Sequence, residues 1–592
     1  AVAGHATSTR RMAPLVVCGL AASPISVASA GTKRVPDISR TRGLAAVAWA
    51  GFWSSRHRAS AAVFLSTAAT LLRRRCVCQR NVRCLRLGGS SRLAGASSPH
   101  RLSSGERQEV QRCATVASAV DIPQAAPAGS APAWRQKYWF PVASVNELDP
   151  LRPTPVRIDG LDLVVWHEPS APSREAASTE HVDDGRWHVF ADSCPHRLAP
   201  LSEGRLEPKT GCLQCAYHGW EFDAGGHCTR IPQVAEEMAV PMRNSPRARA
   251  TAFPVEVAFG CIWVWLGQEL PVGHPRDLGK GTDLEEQVFE VSYTRDIPYG
   301  YDSLLENFVD VSHIPFAHHG LQGSRDDARP VSMSLPDLSP DEYKSLMRFT
   351  FEDHTMGMDR QGGFSLRSPF FFAYAFQMQN PEGGEGRFSK LSICCVPVEP
   401  GRSRMIIVTG RTPSQEDGGW RSALRSALPQ WGIHLLNNRF IDSDLAFLHY
   451  QERRLRCGPE GALGWNKSYY MPGEADRSIG TWRRWLSQEG ARVVLPGPGS
   501  ELPPAELRRA VLLDRFTQHT AHCRHCQQGL QDIESWQRIT GVAGIAALIL
   551  ERLQLGPTEP LLICQVLAIV LVAGLGRLKQ EFHFVDYQHY KT

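Results

Sequence analysis

Apolar and polar residues alternate in short runs through the chain from about residue 134 onward. Three such runs cover residues 137–142, 161–166 and 187–191, and turn residues separate them. Alternation with a period of two is typical of strands that bury one face. The pattern therefore predicts an all-β region in this part of the chain.

Beyond residue 250 the pattern is mixed. Strand-like runs recur at residues 347–351, 370–378 and 404–410, between longer stretches with helical periodicity. This mixture predicts an α+β domain.

Two apolar segments, residues 539–550 and 561–575, lie near the C-terminus and are separated by Glu551, Arg552 and a Gly-Pro turn. Each is shorter than the roughly twenty residues that a clean membrane span needs. They predict a helical hairpin that spans a thinned membrane or dips into one leaflet. A buried hairpin of the globular fold is the alternative.

The first hundred residues differ in composition from the rest of the chain. They hold fifteen Lys or Arg and one acid, Asp37, and are rich in Ala and Ser. This composition is typical of a plastid targeting segment, although a disordered tail is the alternative. We expect residues 1–130 to be a transit segment and linker. Since the whole chain carries +5, the remainder carries about −9, which argues against a nucleic-acid partner.

Two short motifs each pair a cysteine with a histidine. Cys194-Pro-His196 is followed, after eighteen residues, by Cys215-Ala-Tyr-His218. Two thiolates on one iron and two imidazoles on the other are the ligands of a Rieske [2Fe-2S] cluster. Zinc is the competing metal, but zinc ligands usually form Cys-Cys and His-His pairs. Ordinary core residues are the third possibility, and we expect Cys212, near Cys215, to be a buried bystander.

A second motif lies at residues 301–320. Asn307, Asp310 and His313 follow one another at three-residue steps, so on a helix they would share one face. Pro315 should end or bend that helix, and His318 returns from the following turn. Two imidazoles completed by a carboxylate form the facial triad that holds Fe(II) with open coordination positions. The motif predicts a mononuclear iron, and ordinary core or surface histidines are the alternative.

Longer stretches around these motifs resemble one family. CPHRLAPLSEGRL and LQCAYHGWEFDAGGHCTRIPQ resemble the Rieske domain of the plant and algal pigment oxygenases, the pheophorbide a oxygenase family. The resemblance continues at SRDDARP and ADRSIGTWRRWL and runs, with gaps, from about residue 134 to the C-terminus. It implies an α+β fold with an all-β Rieske domain at residues 131–250 and an antiparallel sheet wrapped on a long helix (helix-grip) as the catalytic domain at 251–500. A CxxC segment at 501–535 and a membrane-anchoring helical hairpin at 536–580 would follow.

The resemblance also assigns iron ligands. The family places its third ligand at the second Asp of an acidic pair ahead of a Gln, which is Asp444 here, with Asp442 as the runner-up. The family spacing of His-x₄-His favours His318 over its neighbour His319. His313, His318 and Asp444 are therefore the expected metal ligands.

The resemblance implies a catalytic role for Asp310, with Asn307 in the same motif. Asp310 would be a carboxylate hydrogen-bonded between a cluster histidine and an iron histidine across a subunit boundary, which implies a homotrimer. The implied enzyme is a monooxygenase that uses O₂ and electrons from ferredoxin to open the macrocycle of pheophorbide a in chlorophyll breakdown. It would sit at a plastid membrane, inner envelope or thylakoid, with its catalytic part facing the stroma. The alternatives are another tetrapyrrole, such as protochlorophyllide, chlorophyllide or a linear bilin, or a non-catalytic redox component of a plastid envelope complex.

A last motif follows the catalytic region. LLDRFTQHTAHCRHC places Cys523 and Cys526 two residues apart, beside His519, His522 and His525. The same arrangement occurs in the resembled family and in a related Rieske protein of the plastid inner envelope. A C-x-x-C pair is suited to thiol and disulfide exchange, which predicts redox regulation. Metal binding with the flanking histidines is the competing hypothesis, and a cysteine pair with no special role is the third possibility.

Overall fold

The structure is a computed structural model, and it describes residues 135, 137–169, 186–280, 288–335, 347–379, 387–411, 428–457, 464–488, 502–553 and 558–591. The predicted transit segment and linker, residues 1–130, lie outside the described residues.

Strands make up most of the first two thirds of the described chain. They are β1 (Trp139–Ser144), β2 (Thr154–Ile158), β3 (Leu161–His167), β4 (Trp187–Ala191), β5 (Arg205–Leu206), β6 (Leu213–Gln214), β7 (Glu221–Phe222), β8 (Cys228–Arg230), β9 (Ala252–Phe253), β10 (Val255–Ala258), β11 (Cys261–Trp265), β12 (Val288–Ile297), β13 (Ser332–Ser334), β14 (Met347–Thr355), β15 (Met358–Ser368), β16 (Phe371–Met378), β17 (Arg387–Glu399) and β18 (Arg402–Arg411).

Helices dominate the remainder. The α-helices are α1 (Glu236–Arg243), α2 (Tyr301–Val309), α3 (Ile314–Ala317), α4 (Gln430–Cys457), α5 (Trp465–Ser468), α6 (Arg477–Gln488), α7 (Arg509–Leu512), α8 (Arg524–Arg552) and α9 (Thr558–Gln580).

The all-β region contains three small antiparallel sheets, in the orders β1-β11-β10, β2-β3-β4-β9 and β5-β6-β7-β8. In β2, buried and exposed side chains alternate strictly along Thr154–Ile158, because a strand presents successive side chains to opposite faces. The pairing of β1 with β11 and of β4 with β9 closes this region, so its strands run as far as Trp265. The all-β character predicted from the sequence is confirmed.

A seven-stranded antiparallel sheet, in the order β12-β18-β17-β16-β15-β14-β13, forms the second region. The 28-residue helix α4 packs against it, and the Tyr293 hydroxyl of β12 donates to Asn438 Oδ1 of α4 at 2.7 Å. A continuous core of buried Phe, Leu, Ile and Val side chains fills the space between sheet and helices. An antiparallel sheet that wraps a long helix is the α+β arrangement that the family resemblance implied.

The motif helix is shorter than the sequence predicted. Helix α2 ends at Val309, and Asp310 is already extended, with φ −90° and ψ 109°. The Asp310 carboxylate accepts hydrogen bonds from the Ser312 amide at 2.8 Å and the Ser312 hydroxyl at 2.6 Å, a side-chain turn that competes with helix continuation. His313 then caps the short helix α3, where Pro315 fits the first turn because no N–H is needed there. The expectation of one shared helix face is therefore wrong.

The two C-terminal helices, α8 and α9, pack along each other as a hairpin. By length and composition, Glu559–Gln580 could cross a membrane, and it is the one such helix in the described part of the chain. The prediction that each apolar segment falls short of a span is thus wrong for the second segment. Helix α9 begins earlier than the apolar run, because Pro560 suits a first turn, and it continues past Gly574 and Gly576.

Candidate functional site

The two Cys-His motifs form a matched pair of loops. In the first, the Cys194 amide donates to Ala199 O at 2.8 Å; in the second, the Cys215 amide donates to Trp220 O, also at 2.8 Å. Four residues after each cysteine the backbone turns left-handed, at Leu198 (φ 59°) and Gly219 (φ 71°). Leu198 adopts this conformation at a steric cost that glycine avoids. Two loops with the same backbone geometry are suited to bind the two halves of a single metal cluster.

The loops separate their donors by chemistry. Cys194 and Cys215 are 2% and 1% exposed. Burial and the adjacent Cys215 thiol raise the pKa of Cys194 to about 12, so a nearby cation is needed for both to be thiolates. The His196 and His218 rings lie together, with centroids 4.5 Å apart. Two thiols beneath two imidazoles is the donor set of a Rieske cluster, with Cys₂ on one iron and His₂ on the other.

His196 lies at the surface of the protein. Its ring is exposed and stacks on Trp220, with centroids 4.6 Å apart and an interplanar angle of 5°. Partial burial and the neighbouring His218 and Arg197 lower the pKa of His196, which favours the neutral imidazole that binds metal. Electrons could therefore enter or leave through an exposed imidazole edge.

Cys212 lies beside this site without joining it. It is buried, and its thiol contacts Thr210 O at 3.7 Å while the Thr229 hydroxyl approaches its sulfur at 3.7 Å. Its sulfur therefore makes these contacts with Thr210 and Thr229 and not with the four candidate cluster ligands.

A second group of donors lies between α3 and α4. The ligand atoms of His313, His318 and Asp444 all lie within 4.8 Å of one another. His313 Nε2 is 3.1 Å from His318 Nε2, which is 3.4 Å from Asp444 Oδ2. Two imidazoles and one carboxylate that converge on one point are the donors of a facial triad.

The buried carboxylate of Asp444 supports a cation at this point. Asp444 is 3% exposed, and its Oδ1 has no hydrogen-bond partner among the residues that the structure describes. Burial raises the pKa of Asp444 to about 6, although His313 and a hydrogen bond from Asn307 oppose the rise. A buried acid with a free oxygen is costly unless a cation neutralises it, so the residues fit an iron ion.

The tautomer of His318 is set by its surroundings. Ser443 donates its hydroxyl to Phe440 O at 2.6 Å and therefore accepts from His318 Nδ1 at 2.7 Å. This leaves His318 Nε2 unprotonated and directed at the triad. Burial and the nearby His313 and His589 lower the pKa of His318 to about 2, which keeps the ring neutral.

Two rival residues are engaged elsewhere. Asp442 is fully buried in ion pairs with Arg295 and Arg515, each at 2.7 Å. His319 accepts the Arg325 amide at its Nδ1 at 3.1 Å. The structure thus brings Asp444 and His318 together with His313, whereas Asp442 and His319 bind other groups.

Asp310 and Asn307 flank the triad. Asp310 Oδ2 is 3.8 Å from His313 Nδ1, a buried nitrogen for which the described residues offer no hydrogen-bond partner. Asn307 Nδ2 is 3.4 Å from His313 Nε2. The Asp310 side chain is 22% exposed, so part of it is accessible to solvent.

Cys523 and Cys526 lie in a third group, far along the chain from the triad motif. Both are buried free thiols, and with His434 and His519 they form a set whose ligand atoms lie within 4.8 Å of one another. His522 and His525 are not in this set. Burial alone would raise the pKa of Cys523, but its contacts with Cys526, His434 and His519 outweigh that effect and hold the pKa well below its ordinary value.

Sequence reasoning missed three contributors: Ser443, His434 and the C-terminal tail. Ser443 precedes Asp444 and reaches His318 across 125 residues of sequence. The tail lies close to the triad, since the His589 ring packs on Phe447 of α4 with centroids 5.6 Å apart. In the sequence, Ser443 could have been found only from its position next to Asp444. The tail could have been found only from its resemblance to the family.

Comparisons with known families match both regions. A Rieske [2Fe-2S] domain model matches residues 138–247, and a pheophorbide a oxygenase model matches residues 367–460. The first match contains both Cys-His loops, and the second contains Asp444. The two matches lie on either side of the His313 and His318 motif.

Several curated proteins are similar over most of their length. Pheophorbide a oxygenase of Oryza sativa subsp. japonica, a chloroplastic protein, is 33% identical over 77% of this chain and 85% of its own length. Flavonoid 8-hydroxylase 2 of Ocimum basilicum is 32% identical over 64% of this chain and 71% of its own length. Protochlorophyllide-dependent translocon component 52 of Arabidopsis thaliana is 31% identical, with coverage of 64% and 71%.

Among solved structures, dicamba monooxygenase bound to dicamba aligns with 60% of this chain and 96% of its own, at 19% identity and a TM-score of 0.44.

Proposed function

This chain belongs to the pheophorbide a oxygenase family of Rieske oxygenases, and we propose that it opens the macrocycle of pheophorbide a with O₂ and electrons from ferredoxin. The observation that carries the proposal is the convergence of His313, His318 and Asp444 in a chain that also carries both Rieske loops. A protein that only carried electrons would have no use for the triad. The substrate is proposed from the rice relative, which is similar over 85% of its length.

Two iron groups follow from family membership, and the residues present fit both. The cluster would be held by Cys194, His196, Cys215 and His218, and the single iron by His313, His318 and Asp444. When bound, the cluster supplies single electrons and the iron supplies O₂ activation. The division of the folded part into a Rieske domain at 131–250 and a catalytic domain at 251–500 is part of this proposal.

The protein's own residues orient these donors. Ser443 holds His318 with Nε2 free, and Phe440 stacks on the same ring with centroids 3.8 Å apart. Asn307 donates toward the carboxylate of Asp444 and the His313 ring, which limits the positions both can take. The burial of His318 and Asp444 excludes water from their side of the site.

Asp310 is the proposed electron bridge. Its Oδ1 accepts the hydrogen bonds of Ser312, while the side chain, which is 22% exposed, places Oδ2 3.8 Å from His313 Nδ1. An exposed imidazole, His196, could approach that oxygen from another copy of the chain. We therefore propose a homotrimer in which the cluster of one protomer serves the iron of the next.

The proposed location is a plastid membrane, with the catalytic part in the stroma. The pheophorbide a oxygenases of rice and Arabidopsis thaliana carry chloroplastic names, and helix α9 presents an exposed apolar surface. Ferredoxin as donor would then be available on the stromal side. We propose the hairpin of α8 and α9 as the anchor.

The test is turnover in isotopically heavy O₂. The iron-loaded protein is incubated with reduced ferredoxin and pheophorbide a, and the pigment is analysed by mass spectrometry. We expect heavy oxygen in a ring-opened product. A matched pair of variants probes the site: His318→Ala should abolish the product, whereas His319→Ala should retain it, because His319 lies outside the triad.

A second substrate class is favoured by the name of one relative, the protochlorophyllide-dependent translocon component. Protochlorophyllide, chlorophyllide and a linear bilin are therefore assayed in parallel. Label in one of these and none in pheophorbide a would move the assignment to that tetrapyrrole. No label in any of them, with both iron sites loaded and the cluster reducible, would contradict a tetrapyrrole oxygenase and favour the non-catalytic redox role.

A further inference from the structure

Four buried donor atoms meet at the base of the C-terminal hairpin. They come from His434 of α4, His519 of the π-helical turn Phe516–Thr520, and Cys523 and Cys526 at the start of α8. Each of the four residues is no more than 1% exposed. We infer that these residues form a structural zinc site, independent of the oxygenase centre and of the function proposed above.

The spacing of the donors fits a single four-coordinate ion. His519 Nε2 is 3.2 Å from His434 Nδ1 and 3.2 Å from Cys526 Sγ. His434 Nδ1 is 3.4 Å from Cys523 Sγ and 3.5 Å from Cys526 Sγ. Zinc–nitrogen bonds of about 2.0 Å and zinc–sulfur bonds of about 2.3 Å give tetrahedral edges of roughly 3.3 to 3.8 Å. The observed separations lie at or just under these edges.

The surroundings of His519 are those of a metal ligand. Its Nδ1 donates to Thr294 O of β12 at 2.6 Å, and Glu147 Oε2 lies 3.8 Å from the same nitrogen. A ligating histidine commonly donates its second ring nitrogen to a carbonyl or carboxylate, which fixes the tautomer. The unprotonated Nε2 of His519 therefore faces the two sulfurs.

Two thiolates and two imidazoles that fill all four coordination positions favour zinc over iron. All four ligand atoms lie within 4.8 Å, so they converge on one ion and not on the two irons of a cluster. Four protein donors leave no open position, which is characteristic of structural and not catalytic zinc sites. Two thiolates would also neutralise the ion in this buried place.

Thiol and disulfide exchange by Cys523 and Cys526 explains the arrangement of the four side chains less well than zinc binding does. It would use Cys523 and Cys526 but would give the two imidazoles no role. An exchange partner would also have to reach sulfurs that are 1% and 0% exposed. Reactive cysteines are usually accessible.

The ion would attach the hairpin to the catalytic region. Helix α8 begins at these cysteines, and its first residue, Arg524, donates its amide to Glu147 O and its Nε to Asn146 O, both at 2.8 Å. His434 lies on the same helix as Asp444. Zinc would thus join the hairpin, the long helix and strand β12 at one point, and its loss should loosen the hairpin base.

The test is metal analysis of the full chain, loaded with iron and purified from medium that contains zinc. We expect about one zinc per chain, and replacement by Co(II) should give the visible bands of a tetrahedral thiolate site. In Cys526→Ser the zinc should fall to a small fraction of the wild-type content while the cluster absorbance is unchanged. Cys457→Ser removes an exposed cysteine from the end of α4 and should keep its zinc.

Two results would overturn the inference. One is wild-type protein with its cluster intact but with well under one zinc per chain and no thiolate bands with Co(II). The other is a Cys523–Cys526 disulfide, found by peptide mass spectrometry in folded wild-type protein that lacks zinc. Both are measured on the wild type, so they decide the question even where Cys526→Ser does not fold.

Discussion

At the residue scale, the chemistry depends on which nitrogen of each imidazole is left free. His318 Nδ1 donates a hydrogen bond to the Ser443 hydroxyl, and His519 Nδ1 donates one to Thr294 O. In both residues Nε2 therefore faces the other candidate metal ligands. His313 differs, because its Nδ1 has no hydrogen-bond partner among the described residues and lies 3.8 Å from the carboxylate of Asp310. A carboxylate in that place can fix the ring and couple it to a neighbour.

Asp310→Asn tests this coupling. The amide oxygen can keep the hydrogen bonds from Ser312, so the turn after α2 should persist, while the negative charge beside His313 is lost. We expect both iron groups to bind and the rate of cluster reoxidation under O₂ and substrate to fall roughly 10- to 100-fold. Stopped-flow absorbance of the cluster measures this rate.

The exposed acid Asp326 provides the control for that variant. Asp326→Asn removes a charge close in sequence without touching His313, and its reoxidation rate should match the wild type. An unchanged rate in Asp310→Asn would exclude Asp310 as the bridge.

Residues close in sequence were predictable, and distant partners were not. Cys194, His196, Cys215 and His218 were found from spacing alone, because each loop brings its own two donors together. His434 was not found, since its contact with His519 spans 85 residues of sequence. The third ligand, Asp444, was available only from the family resemblance.

At the element scale, helix α2 is fixed by buried charges. Asp302 and Glu306 lie one turn apart on its inner face, and Arg483 of α6 pairs with both. Burial would raise the pKa of Asp302, but Arg456 and Arg483 outweigh it and lower the pKa. These pairs position Asn307 and the turn that carries Asp310.

Arg483→Met should destabilise the protein by about 3–5 kcal/mol, because it leaves buried carboxylates without their partner. The adjacent Arg484 is exposed on the same helix, and Arg484→Met should change the free energy of unfolding by no more than about 0.5 kcal/mol. Urea denaturation followed by circular dichroism compares the two. Equal effects would show that the buried pairs do not hold α2.

Element boundaries were less predictable than element types. The alternation identified the strands because one face of each is buried, as in β2. The end of α2 was missed because the capping bonds of Asp310 compete with helical hydrogen bonds, and three-residue spacing alone does not reveal that competition.

At the scale of the whole molecule, the hairpin exposes many large apolar side chains in the described part of the chain. Ile569 and Val570 of α9 are 69% and 62% exposed, and many neighbouring apolar side chains are also open. A contiguous apolar surface of this kind is typical of a membrane or partner contact. Exposure and helix length together support the proposed membrane anchor.

Replacement of Ile569 and Val570 by lysine should weaken membrane binding, because charges inside the hydrocarbon are costly. Flotation of the full chain with vesicles of plastid lipids measures the bound fraction, which we expect to fall at least severalfold. Val511→Lys alters an exposed apolar residue outside the hairpin and serves as the control. Equal flotation of all three proteins would argue against the hairpin as anchor.

The proposed oxygenase needs a Rieske cluster and a separate iron, held by different residues of one chain. Iron analysis combined with Mössbauer spectroscopy of the full chain tests it most directly, on wild type and Asp444→Ala. We expect about three irons per chain in the wild type and about two in the variant, with the cluster spectrum unchanged. About two irons in a wild type with an intact cluster, and no loss in Asp444→Ala, would contradict it.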